Sequence, residues 1–534
     1  MSAFAKSVNM SELYLPTIQR YMKNFLFLDK LEAMTKKRVL LLIIDALTAP
    51  CLLEEMANGR YPNFQKLNEA GTLREQCVSI FPSITHAALT SIITGQYPAK
   101  HGIIASHWYD AEAEKIVYFS GSLGVMLEKG LGNYFKEFLL EMNNNYLQVP
   151  TLFQKLERNG RKTASINFPV YRGDVPHNVN APLLLEWIPN LPTSTTVKGP
   201  EIMLMGDLLA DPDNLEIEAN YTGITEWFGF RDENSADLVL QLAETDEFPD
   251  FTLAYFPEND DRAHNDGPTE AHKNLADMDE MLGDLFAAYG GLDDFLQKFA
   301  LVITGDHSQS ATTSPEDEEG IDLAALLSQY SVAQAGDAWD EEDDLIACPN
   351  LRAAHLYLKT VTAEAIEGIS EQLLAESRID QILYRAEFVE AGEGYIVRTD
   401  QGQLRFWHDD NRDDKDTAHD RHDNQWAWEG DLAVVDGRLQ DNQLTFPDYP
   451  NAFERIAGAL DSETSGHIWI TAKIGHELMI PEINLYAGGG SHASLHKQDS
   501  QAPLFVAGAP SEIDIPSFPR IIDVAPLCAA CLGA

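Results

Sequence analysis

Four segments of the chain place metal-ligating side chains directly after apolar or glycine-rich runs. Leu41-Leu42-Ile43-Ile44 ends on Asp45, and Leu301-Val302-Ile303-Thr304-Gly305 ends on Asp306-His307. Tyr255-Phe256-Pro257 leads into Asp260 and, four residues later, His264. That spacing puts both side chains on one helical turn or in one tight loop, within reach of one cation. Gly488-Gly489-Gly490-Ser491 precedes His492, and glycines let a backbone crowd a ligand site. Adjacent Asp306 and His307 cannot share a strand face, but where a strand ends and the chain turns, both can converge. Each segment alone also has a plain structural reading as a turn, a polar loop or a packed histidine.

A fifth segment supplies a hydroxyl. Phe81-Pro82-Ser83-Ile84-Thr85-His86 opens a helical stretch through Ala87–Thr94 that stops at Gly95. Thr85 sits at the mouth of that helix, where free N–H groups and the positive helix end suit a phosphate. The alternative is that Thr85 or Ser83 is an ordinary N-cap. Together the segments offer three Asp, three His and one hydroxyl, enough donors for two divalent ions. Carboxylates mixed with imidazoles suit Zn²⁺ or Mn²⁺ better than Ca²⁺, which prefers oxygen ligands throughout.

The elements that must hold these residues are short apolar runs of the kind found in buried parallel strands. They are Val39–Ile44, Thr163–Asn167, Phe251–Phe256, Phe299–Thr304, Ile468–Thr471 and Pro503–Ala507. Helical stretches lie between them, such as Pro62–Ala70, the segment after Thr85, and Glu270–Tyr289. Alternation of this kind implies an α/β fold, a mostly parallel sheet with helices on both faces and its site outside the carboxyl ends of the strands. Two regions break the rhythm. Residues 125–245 read as an irregular, partly helical insertion. Residues 380–450 read as a small β-rich lid, with strands Tyr395–Thr399 and Gln403–Trp407 around the acidic stretch Asp409–Asp423. The expected layout is a helical extension over 1–38, a core over 39–379 and 451–534, and the lid over 380–450. Asp337–Asp344 reads as a solvated acidic loop.

Composition narrows the partners. The chain has 534 residues, and 38 Lys+Arg against 84 Asp+Glu give a net charge of −46. Such an acidic surface argues against nucleic-acid polymers and anionic membranes, which both need basic patches. No apolar run is long enough to span a bilayer, and no signal peptide is evident. Cys51, Cys77, Cys348, Cys528 and Cys531 are too few and too scattered for a disulfide framework, so a reducing, cytoplasmic setting is expected. Cys528 and Cys531 have redox-motif spacing, but in an apolar tail they read as small buried hydrophobes.

The order and spelling of the five segments resemble the type I phosphodiesterase/nucleotide pyrophosphatase family of the alkaline phosphatase superfamily. The strand-end acid matches Asp45, and an F-P-S-x-T stretch running to T-G matches Phe81–Gly95, which puts the nucleophile on Thr85 rather than Ser83. Tyr97-Pro98-Ala99-Lys100-His101-Gly102-Ile103, Asp260 with His264, Gly267 and Pro268, Asp306-His307, and Ser491-His492 follow in the family's order. The resemblance implies an alkaline-phosphatase-like fold with inserted cap segments. It also implies one metal held by Asp45, Thr85, Asp306 and His307, a second by Asp260, His264 and His492, and hydrolysis of a small phosphate ester through a phosphothreonine.

The chain departs from the family pattern in several places. An asparagine that relatives use to hold a phosphate oxygen is replaced by Ser106, followed by His107, and these two are the substrate-binding candidates. Ser308 and Ala493 stand where a glycine usually follows each late metal histidine. His496, four residues after His492, is an alternative ligand. His408, His419 and His422 lie among acidic residues as a possible further metal site, against the simpler reading of a solvated lid. Trp426 and Trp428 could stack on a base or pack the insertion. The competing functions are a phosphomonoesterase, phosphonate hydrolase or phosphoryl transferase of the same superfamily, or a non-catalytic binding protein that retains the fold.

Overall fold

The computed structural model describes residues 37–119, 136–180, 194–206, 230–245, 248–313, 320–334, 339–408, 416–481, 486 and 488–534. The expected N-terminal extension over 1–38 therefore lies almost wholly outside the described residues, as do 120–135, most of 181–229 and the acidic run 409–415.

Arg38–Ile44 reads Arg-Val-Leu-Leu-Leu-Ile-Ile and is buried along nearly its whole length because it is the middle strand of a seven-stranded sheet. The strand order is Thr72–Val78, Gln501–Ala507, Phe299–Thr304, Arg38–Ile44, Phe251–Phe256, Thr163–Ile166 and Ile202–Leu204. All pairings are parallel except the two made by Gln501–Ala507. Side chains alternate between the faces. Val39, Leu41 and Ile43 join one core, while Leu40, Leu42 and Ile44 join another. Helix Thr85–Thr94 and the C-terminal helix Val524–Cys531 cover the first face. Helices Ala49–Ala57, Pro62–Ala70, Asp232–Glu244 and Ala276–Ala288 cover the second. This is the expected α/β class, a mostly parallel sheet with helices on both faces. The expected continuous helix Glu270–Tyr289 is broken, with a 3-10 turn at His272–Asn274 before Ala276–Ala288.

Two of the seven strands, Thr163–Ile166 and Ile202–Leu204, come from the stretch 125–245, which also carries the hairpin Val175–Asn180 and Ser194–Gly199. A second, ten-stranded sheet runs from Leu345 to Ala472 and is almost entirely antiparallel. It contains Tyr395–Thr399 and Gly402–His408, and it reaches beyond 380–450 on both sides. Ile468–Ala472 belongs to this sheet and not to the parallel one, where its apolar run had suggested it would lie. An unbroken apolar run reports burial on both faces but not which sheet supplies the neighbours. Trp426 is fully buried against Phe406, Phe453 and His408, so it packs the sheet and offers no open stacking face. No helix among the described residues is long and apolar enough to cross a membrane.

Three fully buried histidines make the fold acid-sensitive. His101 Nδ1 accepts from Ile103 N, His272 Nε2 from Thr48 N, and His355 Nδ1 from Gly466 N. A ring nitrogen that accepts a main-chain N–H cannot also hold a proton. Burial pushes these imidazoles down to about 3, 4 and 3 respectively. Each group is protonated below about pH 6.5 when unfolded but stays neutral when folded, so its contribution is complete above 6.5 and lost as pH falls. By pH 5 each costs about 2 kcal/mol, a total comparable to the whole stability of many domains. Thermal melts followed by circular dichroism between pH 7.5 and 5 are expected to show a steep fall in Tm; a flat profile would contradict this account.

Candidate active site

The carboxyl ends of three adjacent strands lie level, with Ile43 opposite Thr304 and Ile44 opposite Phe256. Asp45, Asp306-His307 and the helix Glu258–Asp266 therefore start from one edge of the sheet. The strand Thr72–Val78 runs the same way and delivers the Ser79–Thr85 loop to that edge.

Asp45, Asp306 and His307 form one tight donor group, and Asp260, His307 and His492 form another, with ligand atoms within 4.8 Å of one another in each. His307 Nε2 lies 3.5 Å from Asp45 Oδ1 and 3.4 Å from Asp306 Oδ2. Asp260 is bracketed by His264 Nε2 at 3.4 Å and His492 Nε2 at 3.8 Å. The His307 and His492 rings stack with centroids 3.8 Å apart, joining the two groups face to face. Asp45 Oδ1 and Asp306 Oδ2 are buried with no hydrogen-bond partner. Orphaned carboxylate oxygens in a dry pocket are costly unless something positive sits between them. Mixed carboxylate and imidazole donors of this kind fit divalent cations such as zinc.

Thr85 begins the helix Thr85–Thr94, whose N-cap residue is Ile84 and makes no side-chain cap. The Thr85 hydroxyl is thus not used for capping, and its Oγ1 lies 3.1 Å from His307 Nε2. Ser83 is turned away and donates to Ser494 O at 3.0 Å. The geometry therefore separates two hydroxyls that the local sequence leaves equivalent.

Second partners fix each ring. His264 Nδ1 donates to Gly490 O at 2.8 Å and His492 Nδ1 to Ser83 O at 2.8 Å, which aims both Nε2 atoms at Asp260. A Cβ on Gly489 would stand 1.8 Å from His264 O, and one on Gly490 2.6 Å from Ala263 O, so only glycine allows this approach. Tyr255 donates to Asp45 Oδ2, Asn259 to Asp45 O at 2.8 Å, and Gln309 to Asp260 Oδ1. Tyr486 stacks on His264 with centroids 3.9 Å apart. Nothing local in the sequence marks these four supports, because each acts across a long stretch of chain.

The electrostatics divide the carboxylates. Burial, reinforced by Asp306 and Asp260, pushes Asp45 well above the usual range, and burial also raises Asp306. Burial would raise Asp260 too, but His264, by charge and by hydrogen bond, leads the opposing causes and holds that carboxyl low. Burial, helped by His307, holds His492 neutral, the form that ligates metal.

The remaining candidates fall elsewhere. Ser106 Oγ pairs with His86 Nδ1 at 2.7 Å, beside Thr85. His107 is buried, its Nδ1 donating to Pro349 O at 3.2 Å and its ring edge-on to Tyr118. Asn350 Oδ1 accepts from the backbone N–H of both Ser106 and His107, so this side chain shapes the loop that carries them. His496 is outside the cluster; it caps the helix Lys497–Ser500 through Gln498 N and lies near Tyr449. His408 stacks on Trp426, and His419 pairs with Asp423 O. No disulfide joins Cys528 to Cys531, and both are buried in the C-terminal helix.

Ala493 occupies the left-handed region with φ 88, directly after His492. A Cβ there costs roughly 1–2 kcal/mol, which explains why glycine suits this position. Ala493→Gly is expected to raise stability by about 0.5 kcal/mol after the entropy of the more flexible unfolded chain is counted. Chemical denaturation measures this, and a lower midpoint in the variant would refute the strain argument.

Parallel strands that deliver acids, imidazoles and one hydroxyl to a common edge define an alkaline-phosphatase-like hydrolase. Residues 39–475 match the family described as Type I phosphodiesterase / nucleotide pyrophosphatase, and the chain belongs to that family. It is a metal-dependent hydrolase of phosphate esters. No curated protein matches the chain in sequence. Among solved structures, murine ectonucleotide pyrophosphatase / phosphodiesterase 5 is 14% identical with a TM-score of 0.52, over 93% of this chain and 95% of that one. Phosphonoacetate hydrolase from Sinorhizobium meliloti 1021, in complex with phosphonoacetate, is 15% identical with a TM-score of 0.55, over 93% of this chain and 96% of that one. These likenesses extend the fold assignment over nearly the whole chain.

Proposed function

We propose that the chain is a two-metal phosphodiesterase or nucleotide pyrophosphatase that works through a covalent phosphothreonine at Thr85. The observation that carries this reading is the Thr85 hydroxyl, uncommitted to capping and 3.1 Å from the histidine shared by both donor groups. Asp45, Asp306, His307 and Thr85 would hold one cation, and Asp260, His264 and His492 the other. Zinc fits the donor set best, with manganese as the substitute. When bound, two such ions would lower the pKa of the nucleophile and neutralise charge on the phosphoryl group. Thr85 Oγ1 gives up its proton to solvent and attacks phosphorus as the P–O bond to the leaving alkoxide or phosphate breaks; water then attacks phosphorus from the opposite side, breaks the Thr85 ester, and returns one proton to Oγ1 while releasing the other to solvent. The helix N-terminus at Thr85 faces the phosphoryl oxygens. Ser106, paired with His86 next to Thr85, would bind the substrate, while the buried His107, turned to Pro349 O, would hold the same loop. The few, scattered cysteines favour work in a reducing compartment such as the cytoplasm.

A diester is favoured over a monoester dianion. A dianion needs an additional cationic side chain, and among the described residues the two fully buried guanidiniums bonded to the site loops already bind other groups. Arg352 binds Ser310 and Asp499, and Arg455 binds main-chain carbonyls. In one neighbour of this fold, an inactive variant of murine ectonucleotide pyrophosphatase / phosphodiesterase 5 holds AMP. The deciding experiment measures bound zinc and compares hydrolysis of bis-p-nitrophenyl phosphate with p-nitrophenyl phosphate. Two zinc ions and a clear preference for the diester are expected. Faster cleavage of the monoester would replace this reading with a phosphomonoesterase.

A further inference from the structure

Arg455 lies in the helix Ala452–Leu460 and is fully buried. Its guanidinium is bonded to main-chain oxygens: Nη1 donates to Leu495 O at 2.8 Å and Pro450 O at 3.1 Å, and Nη2 to Ile80 O at 3.0 Å and Ser494 O at 3.5 Å. Burial lowers its pKa to about 9. A desolvated guanidinium without a carboxylate partner is expensive, and an apolar side chain of similar volume could fill the space at less cost. What the buried guanidinium does is tie together the two loops it touches.

Ile80 begins the segment that runs through Ser83 to Thr85, while Ser494 and Leu495 follow His492. The same loops bond directly, Ser83 Oγ donating to Ser494 O and His492 Nδ1 to Ser83 O. Ser494 O thus receives both Ser83 and Arg455, and Ser494 Oγ is anchored from the other side by Asp499. A planar fork with several fixed donors can tie carbonyls on two loops at a set spacing, which an ammonium cannot. We propose that Arg455 is a positioning residue that sets the separation between the nucleophile Thr85 and the metal ligand His492. The inference rests on the roles proposed above for those two residues.

The test uses the full chain with Arg455→Lys and three readouts: zinc titration of the chelated protein, steady-state kinetics, and the Tm of the chelated form. Misplacement of one ligand by a fraction of an ångström predicts at least about tenfold weaker zinc binding at one site only. It also predicts a kcat lower by about thirtyfold or more with KM changed less than about threefold. A purely structural role would lower Tm and the active fraction while leaving the two zinc affinities and the kcat per folded molecule unchanged, and that result would overturn the proposal. If Arg455→Lys does not fold, Arg455→Met fills the space without a buried charge or its donors, and the same readouts decide. A wild type that holds fewer than two zinc ions would instead overturn the functional reading, and Arg455 would then be judged on the kcat and KM split alone.

Discussion

Thr85→Ala is expected to lower kcat toward bis-p-nitrophenyl phosphate by at least about a thousandfold, because the covalent route loses its only nucleophile. The fold should not suffer. Ile84, not Thr85, is the N-cap residue, and alanine is a better helix former than threonine at the first helical position. Asp45, Asp306 and His307 remain to hold a cation, so bound zinc should stay near the wild-type amount. Thr85→Ser keeps the hydroxyl and should retain activity within about tenfold, the loss coming from a freer χ1. Two routes are separated by this pair. If water attacked the ester directly, Thr85 would serve only as one metal ligand among several, and the alanine variant would lose far less. Rapid quenching with a labelled substrate adds a physical readout: label on Thr85 in the wild type and none in the variant. Near-wild-type turnover in Thr85→Ala would end the covalent mechanism.

How much of this arrangement could be read in advance depended on whether its signal was local. Asp45 and Asp306 were legible because a buried parallel strand is an unbroken apolar run, and its end is marked by the first polar side chain. Asp260 and His264 were legible as an i, i+4 pair. Thr72–Val78 was not anticipated, since it is an edge strand whose Arg74, Glu75 and Gln76 alternate with nothing apolar enough to show a period. Ile202–Leu204 is too short to stand out. The supports of the site were invisible for a different reason. Tyr255 reaches Asp45 across 210 residues, and Ser83 reaches Ser494 across 411. Contacts at such separations are created by the topology and leave no spacing behind. Even the choice between Ser83 and Thr85 rested on family resemblance until the direction of each hydroxyl was known.

Asp45→Asn is expected to stabilise the metal-free protein while abolishing turnover, opposite signs from one isosteric change. In the metal-free state Asp45 and Asp306 are two fully buried carboxyls with an orphaned oxygen each. Burial and the charges of Asp306 and Asp260 raise Asp45 well above its ordinary value. A raised carboxyl contributes fully below its unfolded pKa of about 4, and that contribution is lost as pH rises through the folded value. At neutral pH and above, wild-type Asp45 therefore costs the metal-free protein stability, about 1.4 kcal/mol for each tenfold by which folding weakens the acid. Asparagine removes the charge, keeps the acceptor for Tyr255, and can donate an N–H toward Asp306. The gap in Tm between variant and wild type, both chelated, should favour the variant at neutral pH and above, a range in which the buried histidines do not titrate. Zinc reverses the order. In the loaded wild type the same two charges would bind the cation, and binding would add stability by mass action that the variant cannot recover. Activity should fall by about a thousandfold or more, because the amide is a poor ligand and leaves the nucleophile's cation weakly held. A chelated variant no more stable than chelated wild type would show that the carboxylates are not in conflict, and the case for a cation between Asp45 and Asp306 would lose its main physical support.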